Sequence, residues 1–297
     1  MQSDHSTSAK LVEFFRVSPQ IILPMRADKS ALGGIPAAAH QYCEALRTAS
    51  SFGWYVFPPA DISLRWDGAE VFLLNEREGE GESDGAPDGA PDGAGHGRWE
   101  PLTSHVSPGM GAAWDAACPP HLKGGVPPYV SALFVPGVVQ IWSGLFAATA
   151  ADWNVLVRPL ANVVGSRAFS VYEGVIETGW FKPCPVFINI RLLVTNEVIH
   201  IARNKPLFQL QPLHAICFQD AIADAGMFDA LPAIAPQPAD AGGTAATSAT
   251  AFWDGVSNTI RSVSAERPPD FGRYGAEARR RAKRVGADAC PHLRAIQ

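Results

Sequence analysis

The chain has 297 residues, 47% of them hydrophobic, and its formal net charge is −5. This length and apolarity are enough for one sizeable core, so we expect one main domain. The acidic balance argues against a general nucleic-acid binder, because such a protein needs a basic surface to displace the counterions of phosphates.

The number and spacing of the cysteines and the N-terminal sequence indicate the cellular compartment of the protein. The five cysteines are an odd number and show no paired spacing, which argues against a disulfide framework. The first fifteen residues lack a basic segment followed by a long apolar one, the pattern of a secretory signal. A reducing cytoplasm is therefore expected.

The first 75 residues contain signals for one helix and several strands. Pro36 to Arg47 begins with a residue suited to the first helical position and continues with good helix formers. Trp54 to Phe57 and Ile62 to Trp66 are rich in aromatic and β-branched residues, which favours strands. Asp67-Gly68 predicts a hairpin turn into a partner strand at Glu70 to Leu74.

Two segments in the middle of the chain have unusual composition. Residues 76–97 repeat Asp-Gly-Ala-Pro without any large apolar residue, which predicts a disordered acidic insertion. Trp99 to Pro128 is rich in Pro and Gly, and a segment of this length without regular structure is typical of a mobile cover over a site.

Val130 to Ala151 has the length and apolarity of a membrane span. Pro136-Gly137 interrupts it, and Gln140 and Ser143 add polar groups that lipid does not satisfy. Two buried strands around a Pro-Gly turn explain the pattern better. We therefore expect no membrane association.

Alternating strands dominate the region that follows. In Val186 to Leu192 every second residue is apolar, and Glu197 to Arg203 and Leu207 to Gln211 alternate in the same way. Short strands with little helix between them predict a mainly β fold, an antiparallel sandwich or a distorted jelly-roll-like barrel with one or two short helices. We place this single domain at 11–218.

Residues 219–297 have the composition of a linker followed by a basic C-terminal tail. Gly275 to Val285 is either a short basic helix or a disordered arm. Terminal basic runs are commonly solvated, although this one could contact an acidic partner or nucleic acid.

The polar residues between Ala151 and Trp180 predict a candidate site. If Ser170 to Thr178 is one strand, Glu173 and Glu177 share a face about 13 Å apart. They are the candidate catalytic acid or base, a role that requires a pKa raised by partial burial. The candidate substrate-binding residues, which would hold an anionic group, are Arg158, Asn162 and Arg167.

This site favours an accessory or tailoring enzyme that acts on a small anionic substrate. The structural alternative is a salt-bridge network at the end of a sheet, since such networks also perturb carboxylates. The sequence assigns no metal and no cofactor. It allows a small-molecule ligand and a homo-oligomer, and it predicts no nucleic-acid partner.

Two further functions stay open. A metal-dependent oxygenase or hydrolase would draw its ligands from scattered histidines, namely His105, His121, His200 and His214. A non-enzymatic interaction module would use the acidic insertion and the basic tail as its contacts. Sequence motifs for a serine nucleophile elbow, a P-loop and a dinucleotide-binding loop are missing.

Five sequence blocks share aromatic, Gly and Pro residues in a fixed order: Ala49 to Pro59, Arg65 to Gly68, Leu156 to Asn162, Tyr172 to Trp180 and Pro206 to Pro212. Together they resemble a bacterial family of domains of unknown function. Its members carry a Gly-Trp followed by Pro, a Trp-x-Gly, an Arg-or-Gly-Pro-x-Asn and a Glu-Thr-Asp-Trp. Membership implies no known reaction. This chain has Gly179 where members show Asp.

Three shorter segments, Gly165 to Ala168, Glu177 to Trp180 and Phe208 to Leu210, form a second pattern. They are similar to the deoxyuridine triphosphatase and deoxycytidine triphosphate deaminase superfamily. That likeness implies a small distorted barrel that assembles as a trimer and binds nucleotide phosphates. Asn189 stands near the place where the superfamily has its catalytic acid.

Overall fold

The computed structural model describes residues 10–76, 97–218, 231, 250–257 and 273–287. Its contacts divide the chain into two compact units, of which one comprises Lys10–Ala27 and Ser51–Ala215. The other includes Asp28–Ser50 and the described residues after Ala215. The predicted domain boundary at residue 218 stays a prediction. The predicted acidic insertion, apart from its two end residues, lies outside the described residues.

Strands make up most of the regular structure in the described part of the unit of 10–27 and 51–215. They are β1 (Val12–Arg16), β2 (Met25–Arg26), β3 (Trp54–Val56), β4 (Ile62–Trp66), β5 (Val71–Glu76), β6 (Gly97–Pro101), β7 (Ser104–His105), β8 (Val130–Ala132), β9 (Val138–Thr149), β10 (Trp153–Arg158), β11 (Phe169–Val171), β12 (Gly174–Ile176), β13 (Cys184–Leu192), β14 (Ile199–Ile201) and β15 (Phe208–His214).

These strands form three antiparallel sheets. The first has the order β11-β13-β9-β8-β7, with β1 also paired to β9, and the second has the order β12-β10-β15-β3-β2. The third has the order β14-β4-β5-β6. The prediction of a mainly β, antiparallel fold is confirmed. Among the described strands none of the sheets closes into a barrel, so the sandwich alternative is the one that fits.

The core follows from the alternation of apolar residues. In β13 the predicted inward residues, from Val186 to Leu192 in steps of two, are all buried. They pack with Trp142 and Leu145 of the central strand β9 in one continuous hydrophobic cluster. The predicted strand at 197–203 is shorter than expected and pairs with β4, but Ile199 and Ile201 are buried as predicted.

The apolar segment Val130 to Ala151 forms two strands, as predicted. β8 and β9 pair with each other on either side of the turn at Pro136-Gly137, where Gly137 has a φ of 70°. In the described part of the chain, no helix is long and apolar enough to cross a membrane.

The prediction of an irregular, mobile cover at Trp99 to Pro128 is wrong. The segment contains β6, β7 and the helix α3 (Pro108–Ala117), which begins with proline as its first residue. Helix propensity does not predict this helix, because two of its residues are glycines. Leu102, Met110 and Val126 are buried in the main cluster, so this segment belongs to the core.

The other unit contains helices. The expected helix at 36–47 is present but divides into α1 (Ala37–Tyr42) and α2 (Glu44–Ser51), because Cys43 is extended. A helix at 250–257 (α4) follows. The predicted basic tail is helical, as α5 (Arg273–Ala287), and Arg279 lies 3.2 Å from the carboxylate of Glu44.

Asp67 explains the turn between β4 and β5. Its carboxylate accepts hydrogen bonds from the backbone N–H groups of Glu70 and Ala69, at 2.7 and 2.8 Å. These bonds favour the charged form, so the backbone bond from Glu70 and then that from Ala69 hold the pKa of Asp67 below its ordinary value of 3.8.

The lowered pKa predicts a pH-dependent contribution to stability. Because the folded-state pKa is below the unfolded one, the contribution is complete above the unfolded pKa and is lost as pH falls through the folded value. Asp67→Asn, which does not titrate, should melt below wild type at pH 7, and the difference should shrink as pH falls below 3.8. A difference in melting temperature that stays constant with pH would contradict this explanation.

Candidate functional site

The predicted strand across Ser170 to Thr178 does not exist as one element. β11 belongs to the first sheet and pairs with β13, whereas β12 belongs to the second sheet and pairs with β10. Tyr172 and Glu173 carry the chain from one sheet to the other. The inference that Glu173 and Glu177 lie on one continuous strand is therefore wrong, and the two carboxylates instead flank β12.

The structure brings Arg158 and Glu173 together. β10 pairs with β12 in the register Val157 to Gly174, so the next residues along, Arg158 and Glu173, are neighbours at the same end of both strands. The Arg158 Nη2 atom lies 3.4 Å from Glu173 Oε1. The two side chains are 36% and 51% exposed, so this ion pair borders on solvent.

The guanidinium of Arg158 has a hydrogen-bond donor that is not paired among the described residues. Among the described residues, its Nε atom is buried and has no hydrogen-bond partner. A buried donor without a partner costs about 1–3 kcal/mol, more when it is charged. The partly exposed guanidinium can bind an anion, because arginine binds carboxylates and phosphates through a fork of N–H donors.

Gln209 lies beside Arg158 and was not predicted as part of the site. It is the direct register partner of Arg158 on β15, and Tyr55 of β3 is its partner on the other side. Directly opposed residues share a face of a sheet, so all three lie on one side. Gln209 is fully buried, accepts from Ala161 N at 2.9 Å and donates to Phe52 O at 2.7 Å.

Glu177 has a different environment from Glu173. Its Oε2 atom accepts a hydrogen bond of 2.6 Å from Trp180 Nε1, and the side chain is exposed. Gly179 between them donates to the Asn154 side chain, and a Cβ atom at Gly179 would stand 2.9 Å from Trp153 O. This close approach explains why the turn carries glycine and has no room for an aspartate.

The two remaining predicted binding residues lie in the loop after β10. Asn162 occupies an exposed turn with a φ of 61°, a left-handed conformation that asparagine tolerates better than most residues. Arg167 is exposed, and within the described part of the chain no ion pair joins it to Glu173 or Glu177. Of the five predicted residues, Arg158 and Glu173 are therefore the pair that the structure shows in contact.

The histidines of the metal hypothesis lie apart from one another. His105 packs edge-on against Tyr129, His214 packs edge-on against Trp153, and His200 lies near Asp61. Among the described residues, no group of three or more His, Cys, Asp and Glu could hold a metal ion.

Comparison with known proteins gives only distant likeness. No family model matches the chain, and no curated protein matches it. The dUTPase from phage phi11 of S. aureus is similar at 8% identity, over 69% of this chain and 90% of that one, with a TM-score of 0.32.

The dUTPase of Staphylococcus bacteriophage 80alpha shows the same level of likeness. It is 8% identical over 68% of this chain and 89% of its own, with a TM-score of 0.31. A mutant of that dUTPase with dUpNHpp covers 78% of this chain and 98% of its own, with a TM-score of 0.32. These values are too low to assign the chain to a family.

Proposed function

We propose that this β-rich protein binds a small anionic ligand at Arg158 and that Glu173 is the acid or base of a reaction on it. The observation that carries the proposal is the guanidinium of Arg158, whose Nη2 reaches Glu173 while its buried Nε has no partner in the described residues. An arginine with a free donor beside a carboxylate offers both a binding group and a proton-transfer group.

In this proposal the two residues have separate roles. The planar guanidinium of Arg158 can hold a carboxylate or phosphate by bidentate hydrogen bonds. Once an anion shares the positive charge, the carboxylate of Glu173 is less strongly paired and is better able to accept a proton. The side chain of Gln209 accepts a hydrogen bond from the backbone of the turn that follows Arg158, and it thereby holds this turn in place.

Because the ion pair is partly exposed, its role in function can be distinguished from its role in stability. Exposed ion pairs contribute about 0–1 kcal/mol to folding, so breaking the Arg158 and Glu173 contact should leave the protein folded. A pair that only stabilised the sheet end would behave differently, because its removal would change the melting temperature and nothing else.

The test is calorimetric titration with three probes: inorganic phosphate, succinate and dUTP. For any probe that the wild type binds, Arg158→Gln should weaken binding by about 10- to 100-fold, the effect of losing a charged hydrogen bond. Glu173→Gln should keep or strengthen the binding of that probe, and it should abolish chemical conversion of any probe that the wild type turns over. Glu177→Gln, measured in the same assays, determines whether the second carboxylate takes part.

Arg191→Gln is the matched control, because Arg191 is an exposed arginine on β13. It should bind every probe as the wild type does. Failure of the wild type to bind any of the three anions, or equal affinity in Arg158→Gln and Arg191→Gln, would refute the proposed site. A large fall in melting temperature for Arg158→Gln would support the structural network instead.

A further inference from the structure

A second group of reactive side chains lies on the solvent face of the third sheet. His200 of β14 and Ser63 of β4 are direct register partners, and their neighbours Ile62, Leu64, Ile199 and Ile201 are buried. Alternation therefore places Ser63 and His200 together on the outer face. The Ser63 Oγ and His200 Nδ1 atoms are 3.2 Å apart, within hydrogen-bond distance.

Asp61 lies on the other side of the same imidazole ring. Its Oδ1 atom is 3.8 Å from His200 Nε2, and it accepts a 2.8 Å hydrogen bond from the backbone N–H of Arg203. The negative charge beside Nε2 favours the tautomer with its proton on that atom. Nδ1 is then left as an acceptor, aimed at the hydroxyl of Ser63.

An open cleft of about 480 Å³ adjoins this group. Asp61, His200, Arg203 and Asn204 line it together with Ile22 and Ala202. The Arg203 guanidinium is fixed by a hydrogen bond from Nη2 to Gln20 O, while its Nε atom is buried and has no partner among the described residues. Arg203 and His200 both line the cleft, and its volume suits a small ligand.

We propose that Ser63, His200 and Asp61 form a nucleophile, base and orienting acid that hydrolyse small carboxylic esters bearing an anionic group. Arg203 would hold that anionic group in the cleft. A serine hydroxyl becomes a useful nucleophile when an adjacent base takes its proton and a third group orients the base, whatever the order of the residues in the chain.

The reaction balances without any further reagent. The Ser63 oxygen adds to the ester carbonyl while its proton passes to His200 Nδ1. The carbon–oxygen bond to the leaving alcohol then breaks, and His200 returns the proton to that alcohol. Water attacks the resulting acyl-serine with His200 again as base, which releases the acid and restores the Ser63 hydroxyl.

The test uses the full-length protein and two probes, a fluorophosphonate and 4-acetoxy-3-nitrobenzoate, a chromogenic ester that carries an anionic carboxylate. We expect the fluorophosphonate to label Ser63, as located by peptide mass spectrometry, and Ser63→Ala to remove this label. His200→Gln should slow labelling and ester hydrolysis at least tenfold, and Asp61→Asn should slow them less. Ser170→Ala, an exposed serine on β11, is the matched control and should react as wild type does.

Ser63→Cys provides a second measurement that does not depend on phosphonate chemistry. If His200 activates position 63, iodoacetamide should alkylate the new thiol at least tenfold faster than it alkylates the exposed Cys217, and His200→Gln should remove the advantage. The proposal is overturned if the wild type takes up no label at Ser63, or if His200→Gln changes neither rate.

Discussion

Replacing Gly53 by alanine should destabilise the protein by about 2 to 5 kcal/mol, a large part of the stability of an ordinary domain. Gly53 precedes β3 with a φ of 97°, a conformation that side-chain-bearing residues rarely adopt. A Cβ atom there would stand 1.9 Å from Leu210 O and 2.9 Å from its carbonyl carbon. Both are backbone atoms of the neighbouring strand β15, so no side-chain rotation relieves the clash.

The magnitude combines two costs. Left-handed backbone costs about 1–2 kcal/mol for a residue with a Cβ atom, and forcing an extra carbon into close-packed structure costs about 1–3 kcal/mol. Separating β3 from β15 would also disturb the pairing of Leu210 with Trp54. Urea unfolding of wild type and variant measures the loss directly.

Gly68→Ala is a matched control for this prediction. Gly68 has a similar φ of 104°, yet a Cβ atom there would have no heavy atom within 4 Å. It should therefore lose only about 1–2 kcal/mol, from backbone strain alone. Equal losses in the two variants would mean that the contact with Leu210 O carries no cost, and the close approach of β15 to Gly53 would be wrong.

Single strands could be predicted because each carries its own periodicity. In β4 and β13 every second residue is apolar, and these residues are buried in the structure as the alternation predicts. Asp67-Gly68 likewise marks its turn by local chemistry alone. A pattern set by residues that are close together in the sequence predicts the same local structure whichever strands pair in the fold.

The partners of those strands could not be predicted in the same way. β14 pairs with β4, although more than 130 residues separate His200 from Ser63. The sequence between Val171 and Ile176 has no breaker except Gly174, so it predicts one strand where the structure has two in different sheets. Long-range pairing depends on which surfaces remain to be buried, and no local pattern encodes that.

The same dependence on long-range pairing explains which parts of the candidate site could be predicted from the sequence. Arg158 and Glu173 were predicted because both are charged residues among apolar strands, and their contact arises from a pairing of β10 with β12 that the sequence does not show. The alternation of Leu207 to Gln211 predicts only that Gln209 lies on the face opposite Phe208 and Leu210. Its burial requires two backbone partners, Ala161 and Phe52, that lie far away in the chain.

Replacing Gln209 by leucine should cost about 2 to 4 kcal/mol of unfolding free energy. The change keeps the approximate side-chain volume but removes both hydrogen bonds, leaving Ala161 N–H and Phe52 C=O without this partner. Each unsatisfied buried backbone group costs about 1–3 kcal/mol, and the better burial of leucine offsets part of the total.

The same substitution should also affect the anion site, because Gln209 positions the turn that follows Arg158. We expect any probe bound by wild type to bind Gln209→Leu more weakly, even under conditions where the variant is fully folded. Gln140→Leu is the control, since the half-buried Gln140 loses only a 3.1 Å bond to the Asn189 side chain. That variant should lose less than about 1 kcal/mol and bind normally. If the two variants unfold at the same urea concentration, the buried amide of Gln209 does not hold the turn at Ala161.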